Sequence, residues 1–88
     1  MSRVAKRIEY SREAVKTLTR IDRATSKRLR AKVELLAREP EALTNNVSAL
    51  KGGGGLMRLR VGDWRIIYTE DLVVLLVLRV APRGSAYE

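Results

Sequence analysis

Met57-Arg58-Leu59-Arg60-Val61-Gly62-Asp63-Trp64-Arg65-Ile66-Ile67-Tyr68 alternates apolar with other residues on both sides of a Gly-Asp pair. A two-residue turn of that kind closes tight β-hairpins. With Gly62-Asp63 as the loop, Val61 pairs with Trp64 and Arg60 with Arg65. Strand side chains alternate with period two and directly paired residues share a face, so Met57, Leu59, Val61, Trp64, Ile66 and Tyr68 point one way. Arg58, Arg60 and Arg65 point the other way, together with Ile67. Like charges set opposite each other destabilise a sheet, so an arginine pair here suggests an anionic ligand, with a solvated face of long side chains as the plain alternative.

Outward from the hairpin, Leu72-Val73-Val74-Leu75-Leu76-Val77-Leu78 is continuous and rich in β-branched residues. Such a run predicts a central strand covered on both sides. Glu70-Asp71 turns the chain into it, and because that loop is not tied to one residue, the facing of Arg79 stays open. On the other side, residues 41–55 read as an irregular linker, with Thr44, Asn45, Asn46 and Ser48 followed by the run Gly52 to Gly55. These glycines are not a phosphate loop, since no Lys and Ser or Thr follow the last of them.

The N-terminal part predicts a strand over about Arg3 to Glu9, with Val4, Ala5, Ile8 and Tyr10 supplying its apolar character. Ser11 is an N-cap candidate for a short helix whose Ala14, Val15, Leu18 and Ile21 share one face. Asp22 caps a second helix running to about Arg38, with Leu29, Val33, Leu36 and Ala37 inward and Lys27, Arg28, Arg30 and Lys32 outward. Pro40 closes it. Joined by almost nothing, the two helices form a hairpin across one face of the sheet. The expected class is α+β, a small twisted antiparallel sheet with an N-terminal strand and a two-helix hairpin, built as one domain over residues 1–88.

Eighteen Lys and Arg against ten Asp and Glu give 88 residues a formal charge of +8. Nucleic acid is the first partner that this field suggests, and an acidic protein the second. The chain has no cysteine and no histidine. Disulfides and thiolate chemistry are therefore excluded, as are the usual neutral-pH base and the commonest metal ligand. No cofactor and no metal are expected. Without a signal-peptide stretch or an apolar run of membrane length, the expected location is the cytoplasm.

Three pieces in this order, Leu50-Lys51-Gly52, then Arg58 to Tyr68, then Leu78-Arg79-Val80-Ala81-Pro82-Arg83-Gly84-Ser85-Ala86-Tyr87, resemble the RelE/ParE superfamily of bacterial toxins. The preceding strand, helix, helix order agrees. The resemblance implies the toxin of a type II toxin-antitoxin pair, with a cognate acidic, RelB-like antitoxin as partner. Its RelE branch cuts messenger RNA in the ribosomal A site, whereas its ParE branch poisons DNA gyrase without nuclease chemistry. Carried over residue by residue, the arginine after the hairpin aromatic is Arg65, the tail arginine is Arg83, and the tyrosine four residues later is Tyr87. The basic residue of the first hairpin strand falls at Arg58. These four are the candidate catalytic residues, and Arg60, Lys51 and Arg79 the candidate RNA-binding ones. Many members carry His before the tail arginine. This chain has Pro82 there, which leaves arginine and tyrosine to do the work, and keeps a partner-binding protein without activity as a further reading. Trp64 and Tyr68 belong to the core.

Overall fold

The computed structural model describes residues 5–50 and 54–83. Its elements run β1 (Arg7–Tyr10), α1 (Arg12–Arg20), α2 (Arg23–Arg38), a 3-10 stretch (Pro40–Asn46), β2 (Val47–Ala49), β3 (Met57–Val61), β4 (Trp64–Glu70) and β5 (Val74–Pro82). The five strands form one sheet in the order β1-β5-β4-β3-β2. The β2–β3, β3–β4 and β4–β5 pairs are antiparallel, whereas β1 runs parallel to β5. This is the expected α+β fold, with one parallel pair in a sheet otherwise antiparallel.

The hairpin has the expected register: Val61 faces Trp64 and Arg60 faces Arg65. Gly62 sits at φ +59° in its turn, a left-handed conformation that glycine adopts without strain. One sheet face carries Leu59, Val61, Ile66, Tyr68, Leu75, Val77 and Val80 into a core shared with Ala14 and Leu18 of α1 and Leu29, Val33, Leu36 and Ala37 of α2. Both helices start where a side chain can cap them. The Ser11 hydroxyl accepts the Ala14 N–H at 3.0 Å and donates to the Leu78 carbonyl at 2.6 Å, which fastens α1 to β5. The Asp22 carboxylate accepts the Thr25 N–H at 2.9 Å at the start of α2. Val15, expected inward, is 46 % exposed at the margin of the α1 face.

Three expectations need correction. The first strand runs from Arg7 to Tyr10, leaving out Ala5 and Lys6 of the expected span, whose Arg3 and Val4 lie outside the described residues. The last strand runs from Val74 to Pro82 rather than from Leu72 to Leu78, and β4 occupies the centre of the sheet. Leu72 and Val73 are 95 % and 63 % exposed, because Asp71 closes a turn there by accepting the N–H groups of Val73 and Val74, both at 2.7 Å. Third, the 41–55 segment is not wholly irregular. Val47–Ala49 forms an edge strand against β3, and buried Leu43 anchors the 3-10 stretch before it.

A register shift between Ile67 and Tyr68 settles Arg79. Tyr68 pairs with Val77 and Ile67 with Arg79, leaving Leu78 as an extra residue on β5. Such a bulge reverses the alternation downstream, so Arg79 shares the face of Ile67, opposite the core.

Candidate anion-binding site

The sheet face away from the main core carries two transverse rows of residues. Cross-strand pairing lines up Ser48, Arg58, Ile67 and Arg79 in one row, and Arg60, Arg65 and Ala81 in the next. Arg58, Arg60 and Arg65 line one open pocket of about 230 Å³, completed by Asn45, Asn46, Val47 and Ser48. Among the described residues no acidic one lines it. Three guanidiniums around one depression concentrate positive potential and offer planar forks of donors that match phosphate or carboxylate oxygens.

Each arginine is positioned differently. Arg58 donates from Nε and Nη2 to the Ser48 hydroxyl, at 3.2 and 3.0 Å, so β2 holds its head. Arg65 turns its Nη1 back onto the carbonyls of Gly62 and Trp64, at 3.1 and 3.0 Å. That contact lodges its head on the hairpin turn and eases the repulsion from Arg60 across the strand pair. Arg60 remains exposed, and its carbonyl accepts from the Asn46 amide at 3.3 Å. The same turn holds Arg83, whose backbone N–H donates to the Asp63 carbonyl at 2.6 Å. From the helix side, Arg28 Nη2 reaches the Val61 carbonyl at 3.5 Å. Turn carbonyls from Val61 to Trp64 thus fasten a helix and the end of β5 to the arginine face.

Of the residues singled out from sequence, Arg58, Arg60 and Arg65 come together, whereas Arg83 does not line their pocket and is placed by its backbone N–H at the adjoining hairpin turn. Arg79 shares their face but lies two strands from Arg58, and its guanidinium is 3.5 Å from the Glu13 carboxylate. Lys51 and Tyr87 lie outside the described residues. Asn45, Asn46 and Ser48 were overlooked because their segment reads as linker; the serine opposite a basic strand residue becomes recognisable only with β2 in register. Tyr68 sits on the core face, where burial and, secondarily, the Glu70 carboxylate push its phenol up to about 12, so it is no base near neutral pH. Among the described residues no helix is long and apolar enough to cross a membrane.

Fold and site together define a small basic α+β protein that presents an arginine-lined anion pocket on the open face of its sheet. Residues 8–87 match the ParE toxin family of type II toxin-antitoxin systems. The chain is similar to the archaeal RelE of the RelE-RelB complex from Pyrococcus horikoshii OT3, with 31 % identity and a TM-score of 0.76 over 94 % of this chain and 100 % of that one. It also resembles a chain of the RelBE2 toxin-antitoxin complex from Mycobacterium tuberculosis, at 24 % identity and a TM-score of 0.70 over 91 % and 100 % of the two chains. A chain of the E. coli DinJ-YafQ complex shares the fold at 20 % identity and a TM-score of 0.74, over 97 % of this chain and 100 % of that one. No curated protein matches the sequence. The chain belongs to the RelE/ParE superfamily of toxins of type II toxin-antitoxin systems.

Proposed function

We propose that this toxin is a metal-independent, ribosome-dependent messenger-RNA endonuclease that halts translation. The observation that carries the reading is the convergence of Arg58, Arg60 and Arg65 on one pocket, with the backbone of Arg83 held at the adjoining turn. In the reaction the ribose 2′-oxygen bonds to the neighbouring phosphorus while the bond from phosphorus to the 5′-oxygen breaks. The products are a 2′,3′-cyclic phosphate and a free 5′-hydroxyl, whose oxygen takes its proton from solvent. Arg58 and Arg65 stabilise the charge that builds on the phosphorane oxygens, and Arg83 binds the phosphate or the departing oxygen. Tyr87 takes the 2′-hydroxyl proton or stacks on a neighbouring base. As a base it needs the surrounding arginines to favour its phenolate, since a free phenol titrates near about 10. Arg60, Lys51 and Arg79 bind the RNA backbone.

Such a site is weak by itself, and positioning of the message by the ribosome supplies much of the rate, because effective molarity is worth roughly 7–11 kcal/mol. The partner that silences the toxin is an acidic antitoxin, a reading supported by the charge of +8 and by relatives solved with RelB or DinJ. The cytoplasm is the compartment that this substrate implies.

Induction in cells, with primer extension on translated messages, tests the proposal. Wild type is expected to produce cuts in register with codons, and Arg65→Ala to abolish both cuts and growth arrest. Equal toxicity of the variant at equal protein level overturns it. The match to the ParE toxin family supports a second reading, a DNA gyrase poison. Inhibition of purified gyrase in a supercoiling assay, with messages left intact, selects that reading.

A further inference from the structure

The helical hairpin carries a set of cations on the side of the sheet opposite the arginine pocket. Side chains three or four residues apart share a helix face. Arg23, Lys27 and Arg30 therefore form one stripe along α2, and Lys16 stands on α1 beside Thr19. All four cations are exposed, and among the described residues none of them makes a hydrogen bond or an ion pair. The carboxylates of this region are committed elsewhere or stand at its end: Asp22 caps α2, Glu13 pairs with Arg79, and Glu34 lies one turn beyond Arg30. Between the helices, Leu18, Thr19, Ile21, Arg23, Ser26 and Arg30 line an open depression of about 390 Å³. Ser26 is 2 % exposed, and its Oγ has no hydrogen-bond partner among the described residues. A buried hydroxyl without a partner opposes folding, so its presence in a cationic depression points to a ligand rather than to stability.

We propose that the outer face of this hairpin binds the sugar-phosphate backbone of double-stranded RNA, with one phosphate seated between Arg23 and Arg30 above Ser26. The two guanidiniums supply forked donors matched to phosphate oxygens, and rotation about its Cα–Cβ bond turns the Ser26 hydroxyl into the depression as a further donor. Four residues of helix advance about 6 Å, which sets Lys27 at a neighbouring phosphate, with Lys16 across the groove. The composition of the face decides between nucleic acid and protein. Protein interfaces gather aromatic and aliphatic side chains and are depleted in lysine, whereas nucleic-acid interfaces are strongly positive. Among the described residues of the two helices, Val15 is the one large hydrophobic that is exposed. Single strands are gripped by stacking on aromatic rings, and among the described residues no aromatic side chain is exposed. A duplex, whose outer surface is phosphates and hydroxyls, therefore fits better. The choice of RNA over DNA rests on the RNA reading of the arginine pocket. On opposite faces of the sheet, the two sites hold a structured RNA and a message strand together, and binding at one raises the effective concentration at the other.

The test uses the full chain with labelled Leu and Ile methyls and arginine Nε groups, titrated with a short RNA duplex, a DNA duplex of the same sequence, a single-stranded RNA and polyglutamate. The RNA duplex is expected to shift the Arg23 and Arg30 signals with the Leu18 and Ile21 methyls, and to leave Arg58 and Arg65 unmoved. Arg23→Gln with Arg30→Gln should weaken duplex binding by about tenfold or more and flatten its salt dependence by about two phosphate contacts, with single-strand binding unchanged. Ser26→Ala should weaken it by about threefold without lowering the melting temperature, a split that a purely structural serine would not show. Duplex shifts confined to Arg58 and Arg65, or unchanged duplex affinity in the double variant, overturn the proposal. So does a DNA duplex that binds as tightly, or polyglutamate that moves the helix signals as strongly at physiological salt. A single strand that moves neither Arg58 nor Arg65 overturns the reading of the sheet pocket instead, with the RNA and DNA duplexes still deciding the helix face.

Discussion

The carbonyl of Asp63 accepts the backbone N–H of Arg83 at 2.6 Å, which ties the end of β5 to the hairpin turn that carries Arg65. This tether uses main-chain atoms only. Arg83→Ala is therefore expected to leave stability within about 0.5 kcal/mol of wild type, while removing the guanidinium assigned to the proposed cleavage reaction. Paired thermal melts and message-cleavage maps check it. A variant that loses activity only because it has lost stability would assign the Arg83 side chain to structure instead.

Arg60 and Arg65 are paired across β3 and β4 on one face. Directly opposed like charges oppose folding, so Arg60→Thr is expected to raise stability by about 0.2–1 kcal/mol. The same change should weaken binding of single-stranded RNA and flatten its salt dependence, since a contact to phosphate is lost. Urea titration and binding curves at two salt concentrations give both quantities. Stability that falls together with RNA affinity would mean that Arg60 is held by contacts other than charge.

Gly62 combines a φ of +59° with a close neighbour: a Cβ there would lie 2.6 Å from Arg28 Nη2. The arginine head is flexible and can move away, whereas the backbone conformation cannot be relieved. Gly62→Ala is expected to cost about 1–2 kcal/mol, and Arg28→Ala in the same chain should not recover it. A double-mutant cycle in urea measures the coupling. Full recovery in the double variant would identify the clash, not the dihedral angle, as the cause.

These features were unequally legible in the amino-acid order. The hairpin register could be read because a two-residue turn and a period of two leave one way to place Arg58, Arg60 and Arg65. Helix starts were equally plain, since Ser11 and Asp22 stand where a cap is required. β2 was hidden: three residues within a stretch of Thr and Asn have little strand propensity of their own, and they pair only because β3 offers an unfilled edge. The apolar run 72–78 concealed a turn, because Asp71 fastens Val73 and Val74 by hydrogen bonds that hydrophobicity does not report. Nothing in composition marks Leu78 as a bulge, yet the facing of Arg79 depends on that one extra residue.

Acid should weaken the fold through two carboxylates with structural duties. Asp22 is held below its ordinary value by the hydrogen bonds from Thr25 at the start of α2, and Asp71 by the N–H groups of Val74 and Val73 in the β4–β5 turn. Both are depressed on folding, so their contribution is fully present above the unfolded value of about 3.9 and disappears as pH falls through the lower folded values. Melting temperature is expected to be nearly level between pH 7 and about 5 as far as these groups are concerned, and to drop below about 4. Asparagine keeps an acceptor oxygen but cannot titrate. Asp22→Asn with Asp71→Asn should therefore melt close to wild type at pH 6 and show a shallower decline under acid, by circular dichroism over that range. An unchanged slope in the double variant would show that neither Asp22 nor Asp71 carries the acid sensitivity.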